Sequence, residues 1–293
     1  MALLDTVNNP EDLRRLAPGA LPWLCAELRK KIIETVLRNG GHLASSLGAV
    51  ELIVALLRTF DFREDRIVFD VGHQAYAYKL LTERKDRFDS LRRQGGLSGY
   101  PKREESPFDH FDVGHSSTSL SAALGYAKAR DLRQENHHVV AVIGDGSLLN
   151  GMAMEALNNA REARTRLIIV LNDNEMSINH RVGGLANHLA RLSVNPSYRR
   201  LKDAVKEQCR TLPKGGGLED FLGRLKSHLK TFLQPTNLFE ELDISYWGPF
   251  DGHDTEELEM VLRLAQQFDK PLLLHVITRK GKGYAPAEEN PAK

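Results

Sequence analysis

Two short segments carry the residue types that could do chemistry. Gly144-Asp145-Gly146-Ser147 follows directly on the largely apolar run 138–143, and Asn172-Asp173-Asn174-Glu175-Met176 follows the apolar run 167–171. Both runs are short and β-branched, the pattern of strands covered on both faces. Ligands bind at the carboxyl ends of parallel strands. The two segments would therefore present oxygen donors side by side: the Asp145 carboxylate and an Asn side-chain carbonyl. Few, hard oxygen donors suit Mg²⁺, which completes its octahedron with phosphate oxygens and water. The glycines around Asp145 let the backbone turn sharply and approach a ligand. The helix beginning near Ser147 offers free N–H groups to the same phosphates. A Rossmann fingerprint would need a glycine at 149, where Leu149 stands, so dinucleotide binding is disfavoured. Each segment alone is an ordinary turn sequence. Their joint spacing, with 28 residues between Asp145 and Asn174, is what favours one Mg²⁺–diphosphate site.

The elements that must position these segments alternate along the chain. Apolar residues at helical spacing predict helices over 22–38, 49–60, 118–133, 151–163 and 253–268; the first stops at Asn39-Gly40-Gly41. Strands are predicted at 66–70, 138–143, 167–171 and 272–277. A loop rich in Gly, Ser, Pro and charge spans 94–117. Strand, helix, strand at this spacing is a right-handed crossover in a parallel sheet. The expectation is a three-layer α/β fold with a mostly parallel sheet covered by helices on both faces. Residues 196–236 differ in texture, being rich in Lys and Arg and containing Gly215-Gly216-Gly217. They read as a mobile surface insertion, since charge runs are usually solvated; a lid over a phosphate-bearing substrate is the sharper alternative.

Composition bounds the function. The 293 residues carry 40 Lys plus Arg against 39 Asp plus Glu, for a net charge of +1. That leaves no bulk attraction for nucleic acid or an anionic membrane. At 41% hydrophobic residues the chain can bury a core, yet no run approaches the roughly 18 apolar residues of a membrane span. The start, MALLDTVNNPEDLRRL, lacks the basic-then-apolar order of a secretory signal. Two cysteines, Cys25 and Cys209, form no disulfide framework, and a cytoplasmic location is expected.

Further segments narrow the chemistry. Gly40–Ser45 (GGHLAS), Asp70–Tyr76 (DVGHQAY), Gly95–Gly99 (GGLSG), Gly114–Ser119 (GHSSTS), Leu171–Ile178 (LNDNEMSI), Gly252-His253-Asp254 and Lys280–Tyr284 (KGKGY) occur in this order over nearly the whole chain. Together with the GDG segment they resemble the thiamine-diphosphate enzymes. Within these the chain is similar to the 1-deoxy-D-xylulose-5-phosphate synthase family. The DVGHQAY and LNDNEMSI blocks distinguish that family from transketolases at large.

The resemblance implies a residue-by-residue assignment. Asp145, Asn174 and the Met176 backbone carbonyl would ligate Mg²⁺. Gly146 and Ser147 would lie against the diphosphate, with Asn174 counted among the cofactor contacts. Gly114, His115, Ser116, His73 and Tyr284 would also touch thiamine diphosphate. His42 would lie near the thiazolium and substrate, for proton transfer or for orienting the acceptor. His110 and His275 read as structural, and His180 and His188 take no role. The sequence departs from the family pattern at Ser46, Leu149, Asn150 and Arg161, where smaller residues are usual. The resemblance implies one diphosphate-binding domain over 1–293. It places the pyrimidine-binding and C-terminal domains, with a catalytic glutamate, outside these residues. Three readings follow. The first is part of an enzyme that decarboxylates pyruvate and transfers two carbons to glyceraldehyde 3-phosphate. The second is a subunit of a split transketolase-like or other ketoacid enzyme with a different acceptor; a separate pyrimidine-domain subunit could complete either the first or the second. The third is a non-catalytic cofactor-binding or interaction module. A homodimer is expected, because family members are dimers and the face toward the further domains would be apolar.

Overall fold

The computed structural model describes residues 2–174, 184 and 238–290. Met176 and the 196–236 insertion lie outside the described residues.

Among the described residues the strands are β1 (Arg66–Phe69), β2 (Val139–Gly144), β3 (Ile168–Asp173), β4 (Ser245–Asp251) and β5 (Leu272–Ile277). They form one sheet in the order β1-β2-β3-β5-β4. Every pairing is parallel. The α-helices among the described residues are α1 (Pro10–Arg15), α2 (Leu21–Asn39), α3 (Leu43–Gly48), α4 (Val50–Thr59), α5 (Tyr76–Leu81), α6 (Ser119–Leu132), α7 (Asp145–Leu148), α8 (Gly151–Ala163), α9 (Leu238–Glu241), α10 (Thr255–Gln266) and α11 (Ala285–Glu289). The expected helices and the four expected strands are all present, displaced by at most two residues at their ends. β4 was not expected from the sequence.

Strand side chains alternate between two cores, which makes the fold three-layered. Val140, Val142, Ile168, Val170, Leu272, Leu274 and Val276 join α2, α4 and α10 in one cluster. Ala141, Ile143, Ile169, Leu171 and Leu273 join α6 and α8 in the other. This is why the central strands lack polar alternation. Each buried aliphatic side chain contributes about 1.5–3 kcal/mol, and the Ala123, Ala127, Ala153, Ala156 and Ala160 faces allow close helix approach. α10 starts at Asp254, whose carboxylate accepts the Glu257 N–H at 3.0 Å, an N-cap bond worth about 0.5–2 kcal/mol. Among the described residues no helix is long and apolar enough to cross a membrane.

The 94–117 loop is tied down by charge. Lys79 pairs with Glu105, and the Arg84 guanidinium donates to both Asp109 oxygens at 2.5 and 3.1 Å. Asp109 and Glu105 also accept the Lys102 and Ser98 N–H groups. Two cations and two anions cancel, and each buried charge is paired, the condition under which such groups are tolerated inside.

Candidate functional site

The strand register brings the two sequence segments together. Gly144 at the end of β2 sits opposite Asn172 on β3. Asp145, buried, opens α7 directly beyond β2. The three polar residues at the β3 end then separate by role. Asn172 Oδ1 accepts the Thr278 hydroxyl at 2.6 Å. The Asp173 carboxylate meets His275 Nε2 at 3.0 Å. Asn174 Oδ1 is buried with no hydrogen-bond partner. A carbonyl oxygen in that state is what a hard cation would complete. Among the described residues no three His, Cys, Asp or Glu side chains gather as a transition-metal site requires. Two oxygen donors beside a helix start fit Mg²⁺ carried with a diphosphate.

The 114–119 loop is fastened to the same edge. Asp70, buried just past β1, accepts the Ser117 N–H at 2.8 Å, the Ser119 N–H at 3.2 Å and the Ser119 hydroxyl at 2.8 Å. Ser117 in turn donates its hydroxyl to the Ser147 carbonyl at 2.8 Å and accepts from Asn150 Nδ2 at 2.7 Å. Gly114, His115 and Ser116 therefore stand exposed beside the start of α7. Asn150, one of the departures from the family pattern, is part of this joint. Ser46, another, donates to the His73 carbonyl at 3.0 Å. Leu149 packs against the α6–α8 core. Arg161 is exposed, and nothing in the structure explains it.

The imidazoles of His42 and His73 form a pair, their centroids 5.8 Å apart, with Tyr100 5.4 Å from His42. Both Nδ1 atoms are buried without a hydrogen-bond partner. Burial, with the Arg92 charge, lowers the His42 pKa. Burial pushes His73 down to about 4, helped by His42 and Lys280 and opposed by Asp70. Both rings are neutral near pH 7, able to accept a proton or a hydrogen bond. The approach depends on Gly41, at φ 148°, where a Cβ would lie 2.7 Å from the Tyr76 hydroxyl. In the Lys280–Tyr284 segment, the Lys280 ammonium is destabilised by burial and supported by the Asp145 carboxylate. Tyr284 packs its ring on the α2–α4 core, and its N–H donates to the Gly281 carbonyl.

Residues 4–278 match the family model for 1-deoxy-D-xylulose-5-phosphate synthase. The chain belongs to that family. It is 48% identical over 293 residues to the 1-deoxy-D-xylulose-5-phosphate synthase of Clostridium beijerinckii, covering all of this chain and 47% of the relative. It is 53% identical over 290 residues to that of Carboxydothermus hydrogenoformans, again covering 47% of the relative. The chain thus spans about half the length of the curated relatives it matches. Among solved structures, the Campylobacter jejuni transketolase superposes with a TM-score of 0.67 at 20% identity, over 94% of this chain and 40% of that one. Transketolase from Leishmania mexicana superposes with a TM-score of 0.60 at 18% identity, over 88% of this chain and 37% of that one. These two likenesses concern the fold.

Within this synthase-family chain, several residues at the site escape a reading by motif. Asp70 and Ser117 lie in two of the sequence blocks but are given no role there, and with Thr278 they are framing residues rather than ligand candidates. A second network lies behind α3. Arg29 forms a two-pronged bond to Glu51 at 2.6 Å on each arm. Glu51 also meets His253 Nδ1 at 3.0 Å, and His253 Nε2 accepts the Arg279 N–H at 2.9 Å. Nε2 is thus an acceptor, which puts the imidazole proton on Nδ1, facing Glu51. Burial alone would raise the Glu51 pKa, but the His253 and Arg29 bonds outweigh it and hold it at about 2. This network fixes Arg279, the neighbour of Lys280, and Gly48 lets the Arg279 carbonyl approach to 2.8 Å of where a Cβ would sit.

Proposed function

We propose that residues 1–293 are the diphosphate-binding domain of a 1-deoxy-D-xylulose-5-phosphate synthase, acting on pyruvate and glyceraldehyde 3-phosphate. Asp145, Asn174 and the Met176 carbonyl would hold Mg²⁺. Gly146, Ser147, Gly114, His115 and Ser116 line the diphosphate, and His73 and Tyr284 complete the cofactor contacts. When bound, thiamine diphosphate supplies the electron sink for decarboxylation and two-carbon transfer. The chain's own residues do the rest. The start of α7 would offer its N–H groups to the phosphates. His42, neutral and with an unpartnered Nδ1, orients the acceptor or moves its proton. The observation that carries the reading is the buried, partnerless Asn174 Oδ1 next to the strand end that bears Asp145. The working unit is a homodimer, completed by a pyrimidine-binding part in the same protein or as a separate subunit. The low cysteine count supports a reducing, cytoplasmic setting.

The test is formation of deoxyxylulose phosphate from pyruvate and glyceraldehyde 3-phosphate, with saturating Mg²⁺ and thiamine diphosphate. The 293-residue chain alone should turn over negligibly, because the acid–base carboxylate expected in the pyrimidine-binding part contributes on the order of 10²–10⁴-fold. Supplying that part should restore activity. Robust turnover by the chain alone, or none with a folded partner present, would overturn the proposal.

A further inference from the structure

β5 and Thr278, the residue that follows it, hold the end of β3 from both sides of the sheet. On one face Thr278 donates its hydroxyl to Asn172 and its N–H to the Asp173 carbonyl, the latter at 2.8 Å. On the other face His275 meets the Asp173 carboxylate. His275 and Asp173 are both 0% exposed. An ionised Asp173 can only accept, so the proton lies on His275 Nε2. Nδ1 then accepts from the Tyr246 hydroxyl at 2.7 Å. Tyr246 is itself held flat against Phe239, 5.9 Å between centroids at 8°. The register makes Leu171 the direct partner of His275, so Asp173 is reached diagonally, one residue short of Asn174.

Stability alone does not account for a polar chain at this position. A buried ionic or hydrogen-bonded pair can be replaced by apolar residues of similar volume without loss of stability. His275 is flanked on β5 by Leu273, Leu274 and Val276, all buried. What sets Asp173 apart is its place beside Asn174.

We infer that His275 is a positioning residue for the cation site: by fixing the Asp173 carboxylate from β5, it sets the direction in which Asn174 presents Oδ1. The inference rests on the reading of Asn174 as a metal ligand. Groups that orient ligands in this way typically change metal affinity about 10–100-fold when lost.

The experiment measures Mn²⁺ binding by counting free Mn²⁺ in paramagnetic resonance at a fixed concentration of thiamine diphosphate. It is done on the chain alone and with the pyrimidine-binding part supplied. In His275→Gln the side-chain amide reaches where Nε2 lies and can still donate to Asp173. In His275→Asn the amide reaches only toward Tyr246. His275→Gln should bind close to the wild type, and His275→Asn about 10–100-fold more weakly. Equal weakening in the two, or none in either, would overturn the inference, since a general packing role does not distinguish them. If these variants fail to fold, Asp173→Asn, which keeps the shape, must weaken Mn²⁺ binding; unchanged binding overturns the inference. Asn174→Ala separates the two claims. If it binds like the wild type, or the wild type does not bind, the site reading itself falls.

Discussion

The Ser117 hydroxyl donates to the Ser147 carbonyl at 2.8 Å, joining the loop after β1 to the first turn after β2. Ser117 does this in the left-handed region, at φ 71°. Two effects can therefore be separated by substitution. Ser117→Ala removes the hydroxyl and keeps the backbone strain, and should cost about 1–3 kcal/mol. Ser117→Gly also removes the hydroxyl but relieves a conformation that costs an L-residue roughly 1–2 kcal/mol. Urea unfolding should find the glycine variant the more stable of the two, with both binding thiamine diphosphate more weakly than the wild type. An alanine variant as stable as the glycine variant would contradict this account.

Asp145→Ala should abolish Mg²⁺-dependent thiamine-diphosphate binding while leaving the thermal unfolding transition cooperative. The carboxylate stands just beyond the carboxyl end of β2 and belongs to neither apolar cluster, so its loss does not open either core. Calorimetric titration of wild type and variant decides the matter, and equal affinities would sink the metal assignment.

Stability should fall as acid is added between pH 6.5 and 4. Burial and the Arg66 charge hold His110 at about 4, and burial likewise holds His73 at about 4, against an ordinary 6.5. A depressed histidine takes up its proton in the unfolded chain first, so the stabilisation is complete above pH 6.5 and is lost toward pH 4. Each ring accounts for up to roughly 3 kcal/mol across that window. Urea midpoints measured against pH should show the slope, and His110→Asn should flatten it. Its Nδ1 accepts the Ile67 N–H at 3.1 Å, a role an asparagine oxygen can take over. An unchanged slope would show that the His110 proton is not excluded by folding.

The frame of this fold was legible because its strands are buried on both faces and its helices are periodic; Ile168–Asp173 and Gly151–Ala163 needed nothing else. β4 was not legible. Its sequence, SYWGPFD, puts Gly248-Pro249 mid-strand, and proline has no N–H for a ladder. The strand tolerates it at the sheet's edge, with a register shift between Trp247 and Phe250. In the site, the spacing of Asp145 and Asn174 was readable. The partners of Asn172 and Asp173 were not, because Thr278 and His275 lie more than 100 residues downstream. His275 reads from sequence as structural, and its bond to Asp173 depends on β5 lying between β3 and β4.

That strand order bears on how the protein is made. Thr278 reaches Asn172 across 106 residues. At about 5–20 residues per second, a ribosome needs roughly 5–20 s to cover that stretch. Throughout that interval the emerging β3 has its neighbour β2 but not β5. One side of its backbone ladder is open, and the Asp173 carboxylate, later sealed from water, stays hydrated. An open ladder edge on an apolar strand is a template for pairing with other chains. Chaperone dependence during synthesis should therefore concentrate in this window, and nascent chains stopped before residue 272 should aggregate more readily than chains stopped after 278.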